Sequence, residues 1–276
     1  MAVRQKMNFL RSGHFFGQIS RTIHLNGITL TDTVIEHQEY IDWHYHEKAY
    51  FTLVLQGKLI EGNKRESYNC SAGNLLFRSP RDPHYNVKLE GNTKFFNLEF
   101  NEVLSDDFAF DINALQGSFR IEDPDIKFML YRVFRETKIC DIVTATSVQM
   151  ALFEILGQML RLKQTEQKTK PLWVKKLNEI LHDGFAEKLS LVSLSSELNI
   201  HPVHLSRDFP KHFNCTLGEY VRKVRVEKAL TLLPDKRRSL TEIAFECGFA
   251  DQSHFLRCFK QIIGINPYAY RKLLLG

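Results

Sequence analysis

Three histidines are the residues best equipped for chemistry in the N-terminal half of this chain: His44 and His46, separated by one residue, and His84 further along. Side chains alternate between the faces of a strand, so the two rings of an H-x-H pair point the same way. With His84 supplied by a neighbouring strand, they make a three-nitrogen set for a divalent metal such as zinc, iron or manganese. The same residues also suit a metal-free pocket, in which His44, His46, Tyr50 and His84 exchange hydrogen bonds with a small-molecule effector while Trp43 stacks on a sugar or an aromatic ring. A third role is that of satisfied polar residues in a core.

In the C-terminal half the informative feature is a repeat. His204-Leu205-Ser206-Arg207-Asp208-Phe209 recurs as His254-Phe255-Leu256-Arg257-Cys258-Phe259, and the two copies are followed by Tyr220-Val221-Arg222-Lys223 and Tyr270-Arg271-Lys272. Such self-similarity marks a duplicated unit. Each copy follows a short apolar helical pattern and a turn, at Asn199 and at Gly248, which outlines two helix-turn-helix units able to enter neighbouring major grooves of double-stranded DNA. On the second helix of the later unit, Gln252, His254 and Arg257 point away from Phe249, Phe255 and Phe259. Arginine reads guanine O6 and N7, and glutamine reads adenine N6 and N7. Ser253, Lys260, Tyr270, Arg271 and Lys272 are candidates for phosphate contacts. In the earlier unit Val203, His204, Ser206 and Arg207 occupy the outward positions, with Val203 limited to an apolar contact. Pro210 removes a backbone donor and clashes with the Ser206 carbonyl, so this helix is expected to kink or end near Phe209. It begins at His201, where a serine would cap better.

The elements that must hold these residues divide the chain. From about Ile23 to Phe100, short strands (Tyr50 to Gln56, Leu59 to Glu61, Leu75 to Arg78, Phe95 to Phe100) alternate with turn signals at Gly57, Gly62-Asn63, Gly73-Asn74 and Gly91-Asn92, which suggests an antiparallel barrel or sandwich. Two helices follow, Asp125 to about Thr137 and Ala145 to Leu162. The second places Val148, Leu152, Ile155, Met159 and Leu162 at alternating spacings of four and three, either as a homodimer seam or as a face packed on its own barrel. Lys163 to Lys170 contains no apolar residue and precedes Pro171, as expected of a linker. Helical patterns fill the rest. The expected domains are 1–122, a sensing barrel; 123–162, a helical dimerisation element; 163–171, a linker; and 172–276, an all-α DNA-binding domain. The fold class is therefore α+β multidomain.

Bulk properties agree with this division. Up to Lys170 there are 21 cations and 21 anions, and beyond it 16 cations and 11 anions, so the net charge of +5 belongs to the repeat-bearing part. That sign suits a phosphate-binding surface. The five cysteines form no C-x-x-C pair, which points to a reducing compartment and to thiols used as small core residues. No export signal or membrane span is apparent, and a cytoplasmic location is expected.

The segment Ile243-Ala244-x3-Gly248-Phe249-x3-Ser253-x-Phe255-x-Arg257-x-Phe259-Lys260-x3-Gly264-x2-Pro267-x2-Tyr270-Arg271 resembles the signature of the AraC/XylS family of bacterial transcription regulators, over the region from Pro171 to the end. The resemblance implies two helix-turn-helix units joined by a long helix, and a regulator that is usually an activator, with RNA polymerase as a further partner. His44-x-His46 with Gly57, then Gly73-x6-Pro80-x-Asp82-x-His84, resemble the two motifs of the cupin barrels. Metal-binding cupins add a glutamate; Tyr50 stands at that position here, and the second motif is one residue short. The missing carboxylate argues against oxygen-activating iron. The reading is a homodimeric, effector-responsive transcription factor that is not an enzyme. The rivals are a metal-dependent cupin enzyme with a DNA-binding tail, and a DNA-binding protein whose barrel is only a scaffold.

Overall fold

β-Branched and aromatic residues recur throughout the chain between Gln18 and Phe100, and in the computed structural model this segment pairs into one curled sheet. The structure describes residues 7–37, 40–101, 115, 117–166 and 171–275. Nine strands form the sheet: β1 Asn8–Leu10, β2 Gln18–Leu25, β3 Ile28–Ile35, β4 Tyr40–His46, β5 Ala49–Asn63, β6 Ser67–Ser71, β7 Leu75–Arg78, β8 His84–Phe100 and β9 Phe119–Ile121. Their order is β1-β4-β8-β5-β7-β9, with β3 also on β8, β2 on β3 and β6 on β5. All pairs are antiparallel except β1 with β4. Among the described residues no pairing joins β1 to β9, so the expected antiparallel barrel is corrected to a curled, largely antiparallel sheet.

The curl comes from two long strands. Gly57 interrupts β5 without ending it: its φ is +92° and register shifts cluster from Val54 to Leu59. Residue 57 is thus a bulge that bends and twists the strand, where the sequence suggested a turn between two strands. Gly91 likewise lies within β8 at φ +59°. Folding β5 and β8 over on themselves brings β4, the far end of β5, β7 and the start of β8 around one concave face.

Two helices complete this unit, α1 at Pro124–Ile139 and α2 at Thr144–Glu166. Asp123 caps α1 by accepting from the backbone N–H groups of Asp125 and Ile126, and Pro124 takes the first helical position, where its missing donor costs nothing. Phe134 of α1 meets Phe96 of β8 edge-on at 5.4 Å. Val148, Leu152 and Ile155 of α2 are 0% exposed and Met159 3%. A row already buried within one chain is not a free seam, so of the two readings the face packed within its own chain holds and the seam through these residues does not. The helix also runs through Lys163 to Glu166, since no breaker precedes Pro171. Residues 167–170 of the expected linker lie outside the described residues.

The chain separates into two compact units, Met1–Arg161 and Leu162–Gly276. The second contains α3 Leu172–Asp183, α4 Leu191–Leu198, α5 Pro202–Phe213, α6 Leu217–Leu232, α7 Leu240–Glu246, α8 Gln252–Ile263 and α9 Pro267–Leu275. Reciprocal capping boxes start α4 (Ser190, Ser193), α6 (Thr216, Glu219) and α7 (Ser239, Glu242). Leu177, Leu181, Leu194, Leu205, Phe209, Tyr220 and Val224 form one core, while Phe249, Phe255, Phe259 and Tyr270 stack in sequence through another at ring separations of 5.2 to 5.8 Å. No described helix is long and apolar enough to cross a membrane.

Helix α5 corrects two expectations. It passes through Pro210 and ends at Phe213, one turn late. Phe213 stacks on Phe209 at 4.3 Å and meets Tyr220 at 4.8 Å; that packing offsets the hydrogen bond Pro210 cannot make. Asn214, in the left-handed conformation, closes the helix. At the other end His201 does act as a cap, its Nδ1 accepting from Val203 N–H at 3.3 Å.

Candidate nucleic-acid interface and ligand pocket

Asp251 fixes the start of α8 by accepting from His254 N–H at 2.7 Å. The helix then presents Ser253, Arg257 and Lys260, at spacings of four and three, as an exposed stripe opposite the buried Phe255 and Phe259. Among the described residues Arg257 makes no hydrogen bond or ion pair, so its guanidinium is free to meet a base edge. Gln252 is half-buried, and its side chain accepts from the Thr241 hydroxyl at 3.1 Å, tying α8 to α7. His254 is also half-buried, its ring edge-on to Phe249 at 5.4 Å, so it faces outward less than the sequence suggested.

On α5, Val203, His204, Ser206 and Arg207 are all exposed. Arg207 is already engaged: Nη2 donates to His204 Nδ1 at 3.1 Å and Nε to Asp208 Oδ1 at 3.3 Å. Lys211, beyond the expected end of the helix, is exposed beside it and donates to the same carboxylate at 2.7 Å. Hydrogen bonds from Lys211 and then Arg207 lower the Asp208 pKa.

One of the phosphate candidates is corrected and a second is partly engaged. Tyr270 is 0% exposed and packs on Phe259; its aromatic ring is core. Arg271 donates through Nε to the Leu233 carbonyl at 3.0 Å, holding α9 to the end of α6. Lys272 remains exposed.

The two helix pairs, α4 with α5 and α7 with α8, turn at left-handed residues, Asn199 (φ +53°) and Gly248 (φ +77°). A Cβ on Gly248 would lie 2.7 Å from the Ala186 Cα and carbonyl oxygen, so only glycine lets this turn rest on the loop between α3 and α4. Arg225 of α6 pins the same loop by donating to the carbonyls of Phe185 and Glu187 at 2.8 and 2.9 Å. Backbone contacts of this kind hold both outward helices in a fixed relation.

In the N-terminal unit, His44, His46 and His84 do converge: their ligand nitrogens lie within 4.8 Å of one another, and all three are buried. His44 and His84 donate Nδ1–H to the carbonyls of Asp42 (2.9 Å) and Asp82 (3.1 Å). A carbonyl only accepts, so the Nε2 atoms carry lone pairs. Tyr50 donates its hydroxyl to His84 Nε2 at 3.1 Å. Burial lowers the His44 pKa to about 4 and those of His46 and His84 well below the usual value, leaving three neutral rings at pH 7. Phe15 and Phe16 close over them, 4.7 Å from His46 and 4.8 Å from His44.

Glu61 of β5 and Arg78 of β7 line the same pocket and were not among the sequence candidates. They form a buried ion pair, and Asn86 donates to the other Glu61 oxygen. Burial opposes the Arg78 charge, but the adjoining Glu61 carboxylate outweighs it and raises the pKa; Glu61 itself is raised by burial against that cation. The available signal was Arg78, the lone charge at the end of the apolar β7. Trp43 is corrected: it points to the other side of β4, 5.1 Å from Tyr85, and does not line the pocket.

The donor set fits a divalent metal. Three neutral imidazoles converge, two of them anchored through Nδ1 as metal-bound histidines usually are. Among the described residues the buried His46 Nδ1 has no hydrogen-bond partner.

A buried aromatic core under a capped helix whose outer face carries Ser253, Arg257 and Lys260 is the arrangement of a helix-turn-helix unit. Residues 194–273 match the family model described as a helix-turn-helix domain, of AraC type. It is 38% identical over 96 residues to an uncharacterised HTH-type transcriptional regulator of Escherichia coli, YpdC, which covers 35% of this chain and 34% of that protein. A second such regulator, YdeC of Bacillus subtilis, is 24% identical over 255 residues, 85% of this chain and 87% of that protein. Among solved structures, ToxT from Vibrio cholerae aligns over 91% of this chain and all of that one at 13% identity, with a TM-score of 0.39. The chain thus spans about a third of the first relative's length.

Proposed function

We propose that the protein is a homodimeric, effector-responsive transcription regulator that reads DNA through α5 and α8 and activates RNA polymerase. The observation that carries this reading is Arg257: exposed, unpaired and held on a helix fixed at its cap and over its aromatic core. Ser253, Lys260, Lys272 and Lys211 supply the surrounding phosphate contacts. Binding sites selected from random duplexes by the full-length chain should share a sequence, and affinity should fall steeply with salt. Arg257→Ala should cost about 1–3 kcal/mol and relax preference at one base pair. Arg207→Ala should cost less, because Asp208 and His204 already compete for its donors. No enriched sequence, or salt-independent affinity, would sink the reading.

The pocket is the effector site in this proposal. A second reading, favoured by the unpartnered His46 Nδ1, adds a divalent metal on His44, His46 and His84, which when bound would supply a Lewis-acid contact for an oxygen-bearing effector. Elemental analysis of purified chain is expected to show metal lost in His84→Ala, and reporter transcription in the His44→Ala and His84→Ala variants should lose its response to effector while the chain stays folded. Turnover of a small molecule that vanishes in His84→Ala would instead make this a cupin-type enzyme. A response that survives both substitutions would leave the sheet as a scaffold.

A further inference from the structure

Two exposed cations of α5 share the Asp208 carboxylate. Its Oδ1 accepts from Arg207 Nε at 3.3 Å and from Lys211 Nζ at 2.7 Å, and Arg207 Nη2 also donates to His204 Nδ1 at 3.1 Å. We infer that Asp208 determines how much sequence the first helix-turn-helix unit reads, by holding Arg207 away from the base edges. This role rests on the DNA-binding reading above and makes Asp208 a positioning residue that acts through Arg207.

Neighbouring residues on a helix project about 100° apart and do not face each other. Arg207 therefore reaches Asp208 by lying along the helix surface, not by extending outward. Lys211, three residues on, shares the face of the carboxylate and is its ordinary helical partner. Hydrogen bonds from Lys211 and then from Arg207 lower the Asp208 pKa, so the carboxylate stays ionised near neutral pH. The repeat supplies an internal comparison. Arg257 holds the position of Arg207, but the residue after it is Cys258, which is 6% exposed and offers no carboxylate. Both helices bury the same inner positions, Leu205 and Phe209 in one, Phe255 and Phe259 in the other. A single acidic residue thus separates the two arginines where the inner packing does not. To meet a guanine, Arg207 must leave Asp208, and the bared carboxylate then faces phosphate; both effects subtract from the contact. The pair itself is exposed and adds little to folding.

Selection of sites from random duplexes by the full-length chain, natural and Asp208→Asn, tests this. The Asp208→Asn sites should gain a guanine preference at a base pair facing α5 that the natural chain's sites lack. Affinity for such a site should rise about threefold or more, and the log–log salt slope should steepen by about 1, since a cation is released and an anion removed. Asp208→Gln, with a better helix former, should do the same. In an Arg207→Ala background the Asp208→Asn change should add no guanine preference and a smaller gain in affinity. Identical sites for the natural and Asp208→Asn chains, or an equal gain with and without Arg207, would overturn this role and leave Asp208 a general surface charge, with the DNA-binding reading intact. A natural chain that selects no sequence would overturn both.

Discussion

Replacing Leu152 and Ile155 together by lysine is expected to unfold the N-terminal unit, not to release soluble monomers. Both side chains are 0% exposed within a single chain. Truncating one buried leucine or isoleucine already costs about 2–5 kcal/mol, and an unpaired ammonium in the same space adds several more, roughly. Two such changes exceed the total stability of most domains, about 5–15 kcal/mol. Loss of near-ultraviolet circular dichroism from the unit and recovery of the chain in the insoluble fraction are the readouts. A folded, soluble monomer would show that this row faces a partner after all. Met150→Lys, on the outward face of the same helix, serves as the control and should leave the fold intact.

That contrast also shows how far the sequence could be read. The spacing of Val148, Leu152, Ile155 and Met159 marks a buried face of a helix, but nothing in a period of four and three states whether the covering surface belongs to the same chain. The repeated units were more legible because their signals are local: Asn199 and Gly248 in the left-handed region, Ser239 with Glu242 as a capping box, and aromatics on one face. Pro210 misled for the opposite reason. Its local penalty is real, but Phe213 gains contacts with Phe209 and Tyr220 that only the tertiary fold supplies. In the sheet, the H-x-H alternation puts His44 and His46 on one face, and the same parity puts Trp43, one residue out of phase, on the other. Glu61 and Arg78 went unseen because their meeting depends on the bend of β5 at Gly57 and on the pairing of Tyr50 with Arg78 across β5 and β7. A bulge can be suspected from a glycine; the partner it creates cannot.

The Glu61–Arg78 pair is where a single substitution in the pocket should matter most. Their side chains are 5% and 2% exposed, and among the described residues lining the pocket Arg78 is the only Lys or Arg able to balance the Glu61 carboxylate. Arg78→Met is therefore expected to destabilise the N-terminal unit by about 3–5 kcal/mol, because it leaves a buried anion with Asn86 as its hydrogen-bond donor and a neutral His84 beside it. Glu61→Gln strands the guanidinium and should also be costly. The double variant Arg78→Met with Glu61→Gln should recover most of the loss, since a neutral amide and a thioether of similar volume need no ionic partner. Urea unfolding of all four proteins closes a double-mutant cycle. A coupling energy near zero would mean that the two charges are separately solvated and do not hold β5 against β7. A strong coupling would show that this pair fixes the wall on which Tyr50 meets His84, so that the pocket's shape depends on two residues outside the histidine motif.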